Sequence, residues 1–172
     1  GDVDLEDVRT EVRRAVIEQR LPVHAWPEKP LKIPAVNATT GEFTVFDNSS
    51  GVDLVDAVAA SCAVPLVWPP VTIGSQRYFD GGIRSVAYVY VAAGYGSVVV
   101  IAPQASALRR GTGPAEQLAS LGATRSALIS PDSAANSAMG KNALDPNARA
   151  ASARAGFEQA ARVAQAVRDA WG

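Results

Sequence analysis

One cysteine, Cys62, and one histidine, His24, stand among 172 residues. A lone cysteine cannot close an intrachain disulfide, and it excludes a multi-cysteine zinc or iron–sulfur site. A lone histidine leaves no histidine-based metal site within one chain. No metal and no organic cofactor is therefore expected. Charge of one sign is also lacking. Sixteen basic residues against seventeen acidic ones give a net charge of −1, which argues against nucleic-acid binding through a broad basic face. No apolar run approaches the roughly 20 residues needed to span a bilayer. The opening Gly1-Asp2-Val3-Asp4-Leu5-Glu6 is acidic and lacks the pattern of a secretory signal. The expected location is the cytoplasm.

What is present favours a folded α/β chain. The apolar fraction is 48% and the charged fraction 19%, enough for a sizeable core, and the length fits a single domain over 1–172. Leu5, Val8, Val12, Ala15 and Val16 follow helical spacing, with Asp4 and Asp7 placed to cap the helix. Four prolines between residues 21 and 34 impose an extended connection. Ile33 to Asn37 and Phe43 to Val45, joined by a turn at Thr39-Thr40-Gly41-Glu42, read as a hairpin. Asp53 is placed to cap a helix ending near Ser61, and Pro65 bars its continuation. Val71-Thr72-Ile73 and Gln76-Arg77-Tyr78-Phe79 read as a second hairpin, followed at once by Asp80-Gly81-Gly82.

Further along, Ser97 to Ala102 is a β-branched run of the kind buried on both faces, and Pro103 ends it. A helix is expected from about Pro114 to Leu121, and a second buried strand over Ser126 to Ser130. Ala150, Ala153, Phe157, Ala160, Ala161, Ala164 and Val167 set the apolar stripe of a long C-terminal helix ending near Trp171.

The most informative stretch is Ala59-Ala60-Ser61-Cys62-Ala63-Val64-Pro65 followed by Tyr78-Phe79-Asp80-Gly81-Gly82-Ile83. An Ala-Ser-x-Ala-x-Pro helix end, an apolar hairpin and a Tyr-x-Asp-Gly-Gly ending at this spacing resemble a conserved block of the patatin-like phospholipase family. Asn37-Ala38-Thr39-Thr40-Gly41 with Phe43 and Phe46 is similar to the strand pair before that block. Ile129-Ser130-Pro131-Asp132 and Asn142-Ala143-Leu144-Asp145-Pro146 resemble the ending of bacterial members.

The resemblance implies a three-layer α/β/α fold and a serine–aspartate dyad that hydrolyses lipid esters. Asp80 matches the dyad aspartate, and Gly81 and Gly82 match the glycines that shape its turn. A carboxylate bonded to a serine hydroxyl can orient it and accept its proton. A dyad needs no histidine. These 172 residues contain no Gly-x-Ser-x-Gly elbow and no glycine-rich oxyanion loop. Family members carry both upstream of the region matching residue 1. The resemblance therefore implies an incomplete, C-terminal part of the domain. It contributes the dyad aspartate and is inactive alone, because the nucleophile and oxyanion donors are separate parts of the machinery.

The implied partners are a lipid or ester substrate and either a companion chain carrying the nucleophile half or a second copy, with peripheral contact to a membrane. The alternative is a non-catalytic, self-associating α/β scaffold, natural or engineered. Val86-Ala87-Tyr88-Val89-Tyr90-Val91 departs from the family, which places a capping asparagine or aspartate here. The run reads as strand, as retained helix, as core or as a self-association surface. Trp68 reads as core, or as the wall of an acyl pocket with Pro69 and Pro70. Arg109-Arg110 read as a loop that reaches lipid head groups.

Overall fold

The computed structural model describes residues 5–104, 113–142 and 145–172, without the side chains of residues 5–7. The expected caps Asp4 and Asp7, the Arg109-Arg110 loop, and Ala143 and Leu144 lie outside what is described. The chain forms two compact units, Gly1–Arg84 and Ser85–Gly172. Its class is α/β, as expected.

In the first unit, α1 (Leu5–Arg20) is followed by β1 (Ile33–Asn37), β2 (Phe43–Phe46), α2 (Leu54–Ser61), β3 (Val71–Ile73) and β4 (Gln76–Asp80). The strands form one antiparallel sheet in the order β2-β1-β4-β3. Asn37 closes the first turn. Its Oδ1 accepts from the Thr39 and Thr40 N–H groups at 2.9 and 3.0 Å, and Gly41 takes φ +72°. Here the side chain does locally what a turn otherwise asks of the backbone.

Helix α2 packs against this sheet, and its small side chains let it approach closely. Ala57 and Ala60 are fully buried, as is Ala35 of β1. Leu54, Val55, Phe46 and Val71 complete the core. Asp53 occupies the N-cap position of α2 but makes no capping bond. It lies instead 4.0 Å from Arg14.

Helix α1 is present, but its buried face is not the apolar stripe. Val8 and Val12 are exposed, at 40% and 60%, and Ile17 is the buried residue. The reason lies in the arginines. Arg14 Nε donates to Asp56 Oδ1 of α2 at 2.5 Å, and the Arg13 guanidinium lies 4.0 Å above the Trp68 ring. Ion pairing and cation–π stacking turn this face inward.

In the second unit, a 3₁₀ turn at Val89–Ala92 precedes β5 (Ser97–Ile101), α3 (Pro114–Ser120), β6 (Arg125–Ile129), α4 (Ser133–Met139) and α5 (Arg149–Trp171). Strands β5 and β6 form a parallel pair. Neither is buried on both faces. β5 alternates, with Val98 and Val100 buried and Ile101 73% exposed. In β6 only Ala127 is buried. Tyr88 to Val91 forms neither strand nor α-helix. Tyr88 takes φ +47° and is buried with Val89, while Tyr90 is exposed. A buried pair holds this turn. Gln117 accepts from the Val89 N–H at 2.9 Å and donates to Ser85 Oγ, which also accepts from the Tyr88 N–H.

α4 was not expected from the sequence. Asp132 caps it, accepting from the Ala135 N–H at 2.9 Å, and Gly140 at φ +70° ends it. α5 spans its expected length, but Ala150, Ala153, Phe157, Ala160 and Ala161 all face outward, with Phe157 84% exposed. The buried residues are Gln159 and Ala170. Gln159 is drawn in because it completes the backbone bonding at the end of β6. Its Nε2 donates to the Ser130 carbonyl at 2.7 Å, and its Oε1 accepts from the Asp132 N–H at 3.2 Å.

Candidate functional site

Asp80 is the last residue of β4, paired with Ala35 of β1. The Asp80 N–H donates to the Ala63 carbonyl at 3.0 Å, tying this strand end to the segment after α2. The two sequence blocks, separated by the twelve positions 66–77, thus meet through one backbone bond. The strand then breaks into a single 3₁₀ turn, Gly81–Ile83. Asp80 Oδ1 accepts from the Gly82 N–H at 2.7 Å, which fixes the carboxylate at the head of the turn. The side chain is half-buried.

Gly82 acts through close approach rather than through a positive φ. A Cβ on Gly82 would stand 3.0 Å from Asp80 Oδ1, crowding the bonded oxygen. Gly81 is buried beneath the turn. Asp80, Gly81 and Gly82 are therefore brought together, as the sequence implies.

Cys62 lies at the C-terminal end of α2 and is partly buried. Burial pushes its thiol above the ordinary cysteine range, and the Asp80 charge pushes the same way, while Arg13 opposes both.

Beside this turn is a cavity of about 60 Å³ whose lining includes Arg13, Arg14, Asp56, Ala63, Trp68 and Val71. Trp68 is half-buried and forms a wall, so it is not the core residue that the sequence suggested. Ala63 joins the cavity to the Asp80 turn, since its carbonyl holds the Asp80 N–H. Asp80 itself is not part of the lining. The composition of the sequence gave no sign of this cavity, because Arg13 reads as a solvent-facing helix residue. The one available signal was the Arg13-Arg14 pair on a helix whose neighbour carries Asp56.

His24 stays on the surface, its Nε2 2.9 Å from the Glu18 carbonyl. No group of three metal-ligating side chains occurs among the described residues. No helix among them is long and apolar enough to cross a membrane.

Residues 2–93, more than half of the sequence, match the patatin-like phospholipase family. The chain belongs to that family. The match contains all of the first unit but Gly1, including the Asp80 turn. No curated protein matches it. Within a patatin-like chain the Asp-Gly-Gly turn is the feature with an evident chemical use. It presents a fixed carboxylate at the end of a strand, beside a cavity lined by arginine and tryptophan.

Proposed function

We propose that this chain supplies the aspartate half of a serine acyl hydrolase acting on lipid or related esters. Asp80 is the dyad acid, and the serine and oxyanion donors come from outside these 172 residues. The observation that carries this reading is the Asp80 turn. Oδ1 is held by the Gly82 N–H, while Oδ2 has no hydrogen-bond partner among the described residues. One oxygen positions the group, and the other is available to a hydroxyl brought to it. Gly81 and Gly82 shape that turn.

The remaining machinery arrives on a companion chain or segment bearing a Gly-x-Ser-x-Gly elbow. Two outward faces support a partner. Val8 and Val12 on α1, and the Ala150–Phe157–Ala160 stripe on α5, leave apolar helix surface uncovered. Among the described residues β5 and β6 pair only with each other, which leaves each an outer edge that a further strand can join. The test is hydrolysis of a short nitrophenyl ester. The chain alone is expected to match the buffer background, and addition of a polypeptide carrying the elbow and the oxyanion loop is expected to produce activity. Hydrolysis by the chain alone that survives Asp80→Asn would overturn the reading.

A further inference from the structure

Arg13 is placed unlike the other arginines described. Its Nε is buried and has no hydrogen-bond partner among the described residues, and it lines the 60 Å³ cavity. A buried guanidinium nitrogen without a partner calls for a ligand or a solvent bridge. The second arginine of the cavity is already matched, because Arg14 bonds Asp56 at 2.5 Å and reaches Glu18 at 3.6 Å. Arg13 forms no ion pair with a described residue, so its guanidinium, unlike that of Arg14, is not matched by a carboxylate. The stack on Trp68, at 4.0 Å, holds the guanidinium plane in place.

Ala59, Ala63, Trp68, Pro69 and Val71 form the apolar part of the lining, and Thr10, Thr72 and the Arg14-bonded Asp56 complete it. One water needs about 10–15 Å³ of such space. The cavity therefore takes a group of roughly four or five heavy atoms. A carboxylate with a tail of one or two further carbons fits both the guanidinium donors and the apolar part of the lining, whereas a phosphodiester head group is too large for the space.

We infer that this cavity binds a small aliphatic carboxylate, with Arg13 as its anchor and Trp68, Ala63 and Val71 around its tail. Planar guanidinium is suited to this, because its donors match the two carboxylate oxygens. The position deepens the proposed function. Ala63 links the cavity to Asp80, and the acid released by hydrolysis of a short ester belongs to the same chemical class. That link rests on the acyl-hydrolase reading, while the binding itself does not.

The test is a titration of the full 172-residue chain, labelled with ¹⁵N, following the arginine Nε–H resonances. Sodium propionate, inorganic phosphate and sodium chloride are compared at equal ionic strength. The Arg13 resonance, identified by its loss in Arg13→Lys, is expected to move saturably with propionate and not with chloride. Arg13→Lys, which keeps charge but lacks Nε, is expected to weaken propionate binding at least tenfold, read from the Trp68 indole N–H. If that variant does not fold, loss of the resonance in Arg13→Gln identifies it instead, and the wild-type titration decides. An Arg13 resonance that propionate moves no more than chloride does would overturn the inference. Tighter saturation by phosphate would overturn the carboxylate assignment. Because no ester is hydrolysed in this experiment, its failure is separate from failure of the Asp80 reading.

Discussion

The two units solve the same packing problem with unequal success. The first closes four antiparallel strands against α2, whose alanines at 57, 59 and 60 are 0–2% exposed. The second pairs two parallel strands and leaves Ile101 of β5 and Phe157 of α5 in solvent. Parallel strands call for cover on both faces, and an isolated pair is marginal. The difference teaches where the candidate site is placed. Asp80 sits on the well-packed unit, where β1, β4 and the Ala63 carbonyl all fix its backbone. Among the described residues, the second unit leaves Ile101 of β5 and the Phe157 face of α5 uncovered.

The comparison is broken most forcefully in the first unit. Phe46 is 4% exposed and meets Tyr78 edge to face at 5.1 Å. Phe46→Ala is expected to cost about 3–5 kcal/mol, seen as loss of amide protection across β1, β2 and β4. The matching change in the second unit, Val100→Ala, removes two methylene equivalents and is expected to cost about 2 kcal/mol, seen in β5 and β6. Equal losses would erase the contrast.

Two alterations at the site sharpen it further. Asp80→Asn removes a charge that raises the Cys62 thiol, so alkylation of Cys62 at neutral pH is expected to quicken severalfold. Arg13→Gln is expected to slow it. Burial is the larger cause of the raised thiol, so neither variant makes it as reactive as a free cysteine. Iodoacetamide kinetics followed by mass spectrometry measure both. Gly82→Ala places a methyl against Asp80 Oδ1 and is expected to cost less than about 1 kcal/mol, while breaking the 2.7 Å bond that sets the carboxylate.

The smallest effect belongs to the second unit. The Asp132 carboxyl is held below the ordinary carboxylate range, first by the Ala135 N–H and then by Arg162. A lowered folded value means stabilisation that is present above the unfolded value, near 3.9, and lost as pH falls through the folded one. Asp132→Ala is expected to lower Tm slightly at pH 7 and to flatten the acid limb of stability below pH about 4.

Much of this was legible in the residues. Prolines and the Asn37 and Gly41 turn chemistry bounded the strands of the first unit correctly. The Ala-Ser-x-Ala-x-Pro and Asp-Gly-Gly blocks marked the helix end and the strand-end turn that hold the candidate site, because turn and close-approach requirements are local. Helix faces were not legible in the same way. On α1 and α5 the apolar stripe points outward, since paired groups such as Arg14–Asp56, Arg13–Trp68 and Gln159–Ser130 claim the inner face. Periodicity cannot anticipate partners that lie far along the chain. Tyr88 was equally opaque, because its positive φ depends on Ser85 and the distant Gln117. Helix α4 did carry a signal, an Asp132 cap and a Gly140 stop around alanines.

The central claim is that Asp80 is the acid of a serine–aspartate dyad. The most direct test joins this chain to a segment carrying the glycine-rich loop and the Gly-x-Ser-x-Gly elbow, and compares kcat for a short ester with and without Asp80→Asn. The account predicts a fall of about 10²–10⁴-fold in kcat, with the variant's fold and thermal stability retained. Undiminished hydrolysis by a folded Asp80→Asn protein would contradict it.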